Sequence, residues 1–340
     1  MVPGQLDEFG LIARFHSHLQ YHSKKIKIGI GDDCAVYTST PGKYQIATTD
    51  ALLETIHFDL LTTSPDQLGR KALAVNISDI AAMGGTPTLA LITLGIPQKL
   101  KLRFLDQFYK GLNQVSKKYG VELAGGDTIA SPKHLFINIT VFGEVDKKRL
   151  FTRAGARPGD KILVTGTLGD SALGLRLLEQ KKWQGSPQKI NALIQKHLNP
   201  TPRILESQIL AKSGAKITSM IDISDGLAQD LGHICSSSGV GANLLNETLP
   251  KSSALTQVCA NNNLNINEFV LAGGEDYELL FTSKPKDVTK IIKQFQKIDT
   301  AVTVIGEITP TEGAIFLIRE NGRSESLRKI KGYNHFRANK

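Results

Sequence analysis

Short apolar runs of alternating residues recur along this chain, separated by longer segments of helical periodicity. A period of two is typical of β-strands and a period of 3.6 of α-helices. Their alternation predicts a mixed α/β architecture. In the first part of the chain the predicted strands are Lys27 to Ile30, Tyr44 to Thr48, Leu89 to Leu94, Val121 to Ala124 and Leu135 to Gly143, and the predicted helices are Asp66 to Met83 and Arg103 to Lys118.

A turn-rich segment, TRAGARPGD, follows residue 150, and a new series of strands and helices begins after it. We therefore predict two domains, residues 1–150 and residues 151–340, which suits a chain of 340 residues. In the second domain strands are predicted at Lys161 to Thr165, Ile217 to Ile223, Leu279 to Thr282, Val302 to Ile308 and Ala314 to Ile318, and helices at Asp170 to Gln180, Arg203 to Ser213 and Leu227 to Ser236.

The formal net charge of +9 raises the question of a nucleic-acid partner. The lysines and arginines are mostly dispersed, which is typical of a solvated surface or of a protein that attracts an anionic ligand such as a nucleotide. Charged residues interrupt the N-terminal apolar residues, so we expect neither a signal peptide nor a membrane span. Three widely spaced cysteines without a CxxC pair predict reduced thiols. We expect a soluble, cytoplasmic protein that binds no nucleic acid.

Aspartates stand at the ends of several predicted strands. A single aspartate there commonly caps a helix or forms a turn. Several at strand ends, where α/β proteins bind ligands, predict a shared site. The segments are IKIGIGDD with Asp32 and Asp33, YQIATTD with Asp50, VELAGGD with Asp127, and SMIDISDG with Asp222 and Asp225.

Asp79 lies in a predicted helix, where i, i+3 and i+4 spacing places it on one face with Ala72, Asn76 and Met83, away from the apolar stripe of Leu73 and Ile77. A carboxylate packed on such a face is costly unless it is paired or binds a metal, whereas a solvent-facing acid needs no partner. Oxygen ligands without accompanying Cys or His spacing favour Mg²⁺, which in turn suggests phosphates.

No GxxxxGK[ST] segment occurs in the chain, so a P-loop is excluded, and the HRD and DFG motifs of protein kinases are also missing. The glycine-rich turn VTGTLGDSALG has the wrong spacing for a dinucleotide fold. No nucleophile motif is present, and we predict no covalent catalytic residue and no general base. An acceptor that is itself a phosphate is already anionic, so transfer needs alignment and charge neutralisation more than a base.

Taken together, the motifs closely resemble the thiamine-monophosphate kinases, of the superfamily that includes aminoimidazole ribonucleotide synthetase, over residues 7 to 336. The matching segments are FGLIARF, GIGDDCAV, TTDALLETIHF, KALAVNISDIAAMGG, GGDT, RAGARPGD, VTGTLGDSALGL, HLNPTPRI, IDISDGL, GGEDYELLFT, VIGEI and GYNHF.

The resemblance implies ATP-dependent phosphorylation of thiamine monophosphate to thiamine diphosphate, the last step in making that cofactor, by direct in-line transfer. It implies a dimer formed by the N-terminal mixed sheet and a C-terminal α/β sandwich domain that completes the substrate site. Several Mg²⁺ ions would be held by Asp32, Thr48, Thr49, Asp50, Asp79, Asp127, Asp222 and Asp225. ATP would be contacted by Gly126, Asp127, Arg153 and Ser224, and thiamine monophosphate by His57, Glu275 and Tyr333.

One departure from the family pattern lies in the closing motif, where Tyr333 and Asn334 replace the more usual Trp and Asp. Tyr333 still offers a ring that can stack on a heteroaromatic ligand. Two alternatives stay open at this point. The first is another ATP-dependent member of the superfamily with a different acceptor, and the second is a non-catalytic nucleotide-binding protein.

Overall fold

The computed structural model describes residues 26–28, 32–38, 41–179, 182–330 and 332–333. Within these residues the chain forms two β-sheets, one from each half of the sequence. The N-terminal segment FGLIARF, residues 29 and 30 of the first predicted strand, and Asn334 lie outside the described residues. No helix of the described part is both long and apolar enough to pass through a bilayer.

The N-terminal sheet has six strands in the order β1-β2-β3-β6-β4-β5, in which only β4 and β5 run parallel. Two helices, α1 and α2, cover one of its faces and bury the first core. The strands are β1 (Ile26–Ile28), β2 (Ala35–Thr38), β3 (Lys43–Leu53), β4 (Thr86–Pro97), β5 (Glu122–Ser131) and β6 (Phe136–Asp146), and the helices are α1 (Pro65–Ala82) and α2 (Leu102–Tyr119).

Helix α1 begins with Pro65 at its first position, and the side chain of Gln67 accepts the backbone N–H of Ser64 at 3.2 Å. Its crossing with α2 requires glycine on both helices. A Cβ at Gly69 would lie 2.0 Å from the carbonyl oxygen of Phe108, and one at Gly111 would lie 1.9 Å from that of Asp66. The close crossing fixes the position of α1 against the sheet.

The C-terminal sheet has seven strands in the order β13-β12-β9-β11-β7-β10-β8, and only β9 and β12 are parallel. Its strands are β7 (Lys161–Thr165), β8 (Ile217–Asp222), β9 (Gly241–Leu245), β10 (Leu279–Ser283), β11 (Val302–Thr309), β12 (Ile315–Ile318) and β13 (Ser324–Ser326). The helices are α3 (Asp170–Glu179), α4 (Pro187–Leu198), α5 (Ile204–Lys212), α6 (Leu227–Ser238), α7 (Ser253–Asn261), α8 (Ile266–Ala272) and α9 (Pro285–Phe295).

Both faces of the second sheet are covered. Strand residues such as Val164 and Ile221 pack in a core with α3, α4, α6, α7 and α8. On the other face Leu163 and Phe281 pack against α5, α9 and the C-terminal end of α1 at Ala81 and Ala82. Helix α1 therefore contacts both sheets and packs the two halves against each other.

The predicted α/β class and mixed sheets are confirmed. Most predicted elements are present within a few residues, whereas β2, β9, β13, α4, α7, α8 and α9 were not predicted. The placement of Asp50 and Asp127 at strand ends was wrong, because both lie within strands, β3 and β5, that continue beyond them. We propose that the domain boundary lies near residue 150, between β6 and β7.

Candidate active site

Strand β3 and helix α1 together place the first polar group of the site. Thr48 and Asp50 lie two residues apart on β3 and therefore project to the same side of the sheet. The Thr48 hydroxyl donates a hydrogen bond of 2.5 Å to the Asp79 carboxylate on α1. The side chain of Thr49 projects to the opposite side, where its hydroxyl lies 3.1 Å from Asn138 Oδ1. The structure thus groups Thr48 with Asp79 and separates the Thr49 hydroxyl from them.

Three carboxylates from three segments converge at this point. One oxygen each of Asp33, Asp79 and Asp222 lies within 4.8 Å of the others, close enough to share a cation. Asp33 precedes β2, and Asp222 ends β8, where it accepts a hydrogen bond of 2.5 Å from Ser78. Asp33 Oδ2 is buried without a hydrogen-bond partner among the described residues. Such an oxygen suits a metal ligand, because burying an unpaired carboxylate oxygen is unfavourable.

The electrostatics of this cluster favour the uptake of positive charge. Burial, followed by the charge of Asp33, raises the pKa of Asp222 to about 7. Burial and the carboxylates of Asp50 and Asp222 raise the pKa of Asp79 well above its ordinary value. Burial, followed by neighbouring carboxylates, raises the pKa of both Asp32 and Asp50 to about 6. Without a cation these carboxylates repel one another and take up protons.

Arg153 supplies a positive charge at the edge of the cluster. Its guanidinium pairs with Asp33, and its Nε lies 3.8 Å from Asp32 Oδ1. Burial lowers the pKa of Arg153, but the charges of Asp33 and Asp32 raise it by more than burial lowers it. The guanidinium therefore stays charged. Its buried Nε makes no hydrogen bond within the described residues, which leaves a donor for an anionic ligand.

A second group surrounds the start of α6. Ligand atoms of Asp225, Asp230 and His233 lie within 4.8 Å of one another. Asp230 also accepts the backbone N–H groups of Asp225 at 3.2 Å and Gly226 at 3.0 Å, so it shapes the turn that carries Asp225. The backbone N–H of Tyr333 donates to the Asp225 carbonyl at 3.2 Å, and the Tyr333 residue is 41% exposed.

Glu275 lies beside the same turn. Its N–H donates to the Ser224 carbonyl at 2.7 Å, and its φ of 63° is in the left-handed region. Its carboxylate contacts the buried Lys71 at 2.9 Å and His197 at 3.0 Å. Burial opposes its ionisation, but Lys71 and His197 outweigh burial and lower its pKa. The carboxylate is therefore ionised at neutral pH.

His57, Gly126 and Asp127 lie farther out. His57 follows β3, and its Nδ1 accepts the Leu53 N–H at 3.0 Å. Across the sheet, Asp50 pairs with Ile139, which pairs with Ile92, which pairs with Gly126. Three strand spacings thus separate Gly126 from Asp50, or about 14 Å. Within one chain the structure does not bring exposed Asp127 to the carboxylate cluster.

Gly126 is required where it stands because the β4 backbone is very close. A Cβ at this position would lie 1.7 Å from the carbonyl oxygen of Ile92, and its φ of 156° is one that L side chains rarely adopt. A larger residue at Gly126 would therefore require the backbones of β4 and β5 to move apart.

From the sequence, Asp33 was placed among the strand-end acids of a shared site but was given no role, and Lys71, His197, Asp230 and His233 were missed. The doublet Asp32-Asp33 left open which of the two side chains faces the site, since adjacent residues of a strand point to different sides. Asp230 and His233 follow the SDG segment and are one helical turn apart, so their proximity could also have been predicted from the sequence. No local pattern links Lys71 or His197 to Glu275, because the partners are far apart in the chain.

Comparison with known proteins agrees with the fold. The N-terminal domain of AIR synthase related proteins matches residues 31–145, and the C-terminal domain of the same proteins matches residues 157–318. Thiamine-monophosphate kinase of Bacillus subtilis (strain 168) is 36% identical over 98% of this chain and 100% of the relative. That of Escherichia coli (strain K12) is 38% identical over 97% of this chain and 98% of the relative.

Solved structures give the same result. The structure of AaThiL complexed with AMPPCP and TMP has 37% identity and a TM-score of 0.84, covering 98% of this chain and 99% of that one. Thiamine monophosphate kinase from Aquifex aeolicus has 34% identity and a TM-score of 0.78, covering 96% and 99%. Both similarities span the two domains. The chain belongs to the thiamine-monophosphate kinase family, within the AIR synthase related proteins.

Proposed function

We propose that this protein phosphorylates thiamine monophosphate to thiamine diphosphate with ATP as phosphoryl donor, the last step in the biosynthesis of that cofactor. The observation that carries this proposal is the full-length similarity to AaThiL, which was solved with AMPPCP and TMP. The described residues supply the buried acidic cluster and the adjacent arginine that a transfer between two phosphates requires.

Mg²⁺ is the cation that we propose for the carboxylates. Asp33, Asp79 and Asp222 fit it, because they offer hard oxygen ligands and one buried oxygen without a hydrogen-bond partner in the described part of the chain. Asp32, Thr48 and Asp50 lie beside them, and Asp225 heads the second group. When bound, Mg²⁺ would offset the negative charge of both phosphate groups. Thr49 and Asp127 stay proposed ligands of further ions.

The protein's own groups align the reactants and neutralise charge. We propose that Arg153 and Ser224 contact ATP, together with Gly126 and Asp127 on β5. The Arg153 Nε donor suits a phosphate oxygen. The acceptor oxygen of a phosphate monoester is anionic near neutral pH, so no side chain has to remove a proton from it. This supports direct in-line transfer without a covalent intermediate on the protein.

We propose that thiamine monophosphate binds beside the turn of Asp225, with the C-terminal domain completing its site. Glu275 there offers an ionised acceptor for an amino group, and Tyr333 an exposed ring for stacking. His57 stays a proposed substrate contact.

A homodimer is proposed because, among the residues that the structure describes, strand β5 forms an exposed edge of the N-terminal sheet. Strand β5 is an edge strand that is exposed along most of its length, and Ile129 and Leu91 are 52% and 39% exposed. An uncovered edge with apolar side chains commonly pairs with another chain. A partner strand here would also bring a second surface to Gly126 and Asp127. We further propose a cytoplasmic location, because ATP is the co-substrate and the three cysteines are free thiols.

The test is chromatographic detection of thiamine diphosphate after the pure protein is incubated with ATP, Mg²⁺ and thiamine monophosphate, with free thiamine as a parallel acceptor. We expect diphosphate from the monophosphate alone, with one ADP formed per product. ADP without diphosphate would redirect the search to another acceptor, and no turnover in the presence of bound ATP would favour a nucleotide-binding protein.

A further inference from the structure

Lys71 is a fully buried lysine in the middle of α1, with an exposure of 1%. An ammonium group is rarely placed there, because its desolvation is unfavourable unless it is paired. Its partner is Glu275, which lies 204 positions later in the other domain. Lys71 Nζ is 2.9 Å from Oε1 and 3.0 Å from Oε2, so it contacts both carboxylate oxygens.

His197 on α4 is the second partner of the same carboxylate. Its Nδ1 lies 3.0 Å from Glu275 Oε2 and 3.2 Å from the Ser171 hydroxyl, and its Nε2 lies 3.5 Å from Lys71 Nζ. A charged lysine can only donate, so Nε2 accepts and the proton of neutral His197 resides on Nδ1. Burial, followed by the Lys71 charge, lowers the pKa of His197, which agrees with the neutral form. Nδ1–H then donates to Glu275.

These contacts fix the Glu275 carboxylate and still leave it one lone-pair direction for a further hydrogen bond. Two carboxylate oxygens offer about four lone-pair directions, and Lys71 and His197 together account for three contacts. Glu275 is only half-buried, and its side chain is 27% exposed, so the remaining direction can be reached by a ligand. Its left-handed backbone and its hydrogen bond to Ser224 place it beside the proposed substrate site.

We propose that Lys71 and His197 are positioning residues for substrate recognition, which hold and orient the Glu275 carboxylate as acceptor for the amino group of the substrate's aminopyrimidine ring. The inference rests on the proposed function. Neither residue touches the substrate. Because Lys71 belongs to the N-terminal domain and Glu275 to the C-terminal domain, recognition of the ring depends on correct docking of the two domains.

Lys71→Met tests the first contact, since it removes the ammonium and keeps a side chain of similar length. We expect the KM for thiamine monophosphate to rise about 10-fold to 100-fold, the loss that follows when a hydrogen bond to a charged group is misplaced. The KM for ATP should change by less than about twofold, because Lys71 bonds the side chains of Glu275 and His197, whereas Ser224 is held by the Glu275 backbone. Lys161→Met, which breaks a surface pair with Glu307, is the matched control and should change neither KM.

The pH profile separates positioning from a merely structural pair. Without Lys71 the half-buried carboxylate loses its main cationic neighbour, while His197 and the Tyr277 hydroxyl still lie near it. Its pKa then rises toward neutrality, so the KM for thiamine monophosphate in Lys71→Met should rise further between pH 7.5 and pH 5.5 relative to wild type. A purely structural role would reduce the active fraction and lower the apparent kcat with both KM values unchanged.

His197 provides an independent test if Lys71→Met does not fold. In His197→Asn the amide N–H occupies roughly the place of Nδ1–H and should keep the KM for thiamine monophosphate within about threefold, whereas His197→Leu should raise it about 10-fold. Equal values for wild type, Asn and Leu would overturn the proposal, as would an unchanged KM in folded Lys71→Met. Wild type is assayed in parallel, and its failure to form thiamine diphosphate would overturn the proposed function instead.

Discussion

Binding of Mg²⁺ to the carboxylate cluster should release protons. At pH 7 a group of pKa about 7, as in Asp222, is half protonated, and groups of pKa about 6, as in Asp32 and Asp50, are each about a tenth protonated. Burial and the carboxylates of Asp50 and Asp222 raise the pKa of Asp79 as well. Asp222, Asp32 and Asp50 alone therefore carry about 0.7 proton that a divalent cation must displace.

Isothermal titration calorimetry measures this number directly. Mg²⁺ is titrated into the nucleotide-free protein at pH 7 in buffers of different ionisation enthalpy, and the slope of observed heat against that enthalpy gives the protons released. We expect a slope of about 0.7 or more at pH 7 and a smaller slope at pH 8.5, where Asp222 is ionised before binding. Affinity should rise over the same interval, because fewer protons then compete with the metal.

Two variants test whether the released protons come from the carboxylate cluster. Asp222→Asn should remove about half a proton from the slope at pH 7 and weaken binding. Asp146→Asn alters an exposed carboxylate paired with Arg149 and should leave slope and affinity unchanged. A slope near zero with intact binding would refute the argument that burial and mutual repulsion hold protons on the cluster. Absence of any saturable heat at millimolar Mg²⁺ would refute the expectation that the carboxylate cluster binds Mg²⁺ in the nucleotide-free protein.

Three further outcomes follow from the structure. Asp79→Asn should lower kcat/KM by about 10²-fold or more with circular dichroism unchanged, because one ligand of the cluster loses its charge, and activity near wild type would remove Asp79 from the site. Arg203→Met should lower the free energy of unfolding by about 3–5 kcal/mol in urea titrations, because it leaves Glu278 buried without the guanidinium that contacts it at 2.5 and 2.6 Å, and a loss below about 1 kcal/mol would contradict this. Lowering the pH from about 7.5 to about 5.5 should stabilise the metal-free fold: Asp222, Asp32 and Asp50 have raised pKa values when folded, so the folded chain takes up more protons than the unfolded one, and these three outweigh His197, whose pKa is lowered. A urea midpoint that falls over this interval would show that the pKa values of these carboxylates are not raised.

The sequence predicted those helices, strands and turns whose residues show the periodicity or turn motif within the element itself. Helix α1 was predicted because its periodicity extends over five turns, and the SDG turn because an apolar strand precedes it. The extent of β5 was not predictable, because Gly125 and Gly126 are ordinary turn residues and only the nearby Ile92 carbonyl explains them. Long-range partners gave no signal either. Periodicity places Lys71 on a helix face, but no local rule indicates that it meets Glu275.

The position of α1 between the two sheets has a consequence for which acceptors fit. Lys71 and Asp79 are eight residues apart on one continuous helix, a rise of 12 Å. Lys71 holds the Glu275 carboxylate, which is proposed to bind the ring of the substrate. Asp79 belongs to the carboxylate cluster, which is proposed to bind the phosphate through Mg²⁺. The helix therefore sets the length of molecule that can occupy both ends at once. Inserting a single residue between the two would turn one by about 100° relative to the other, so this stretch should tolerate substitution far better than any change in its length.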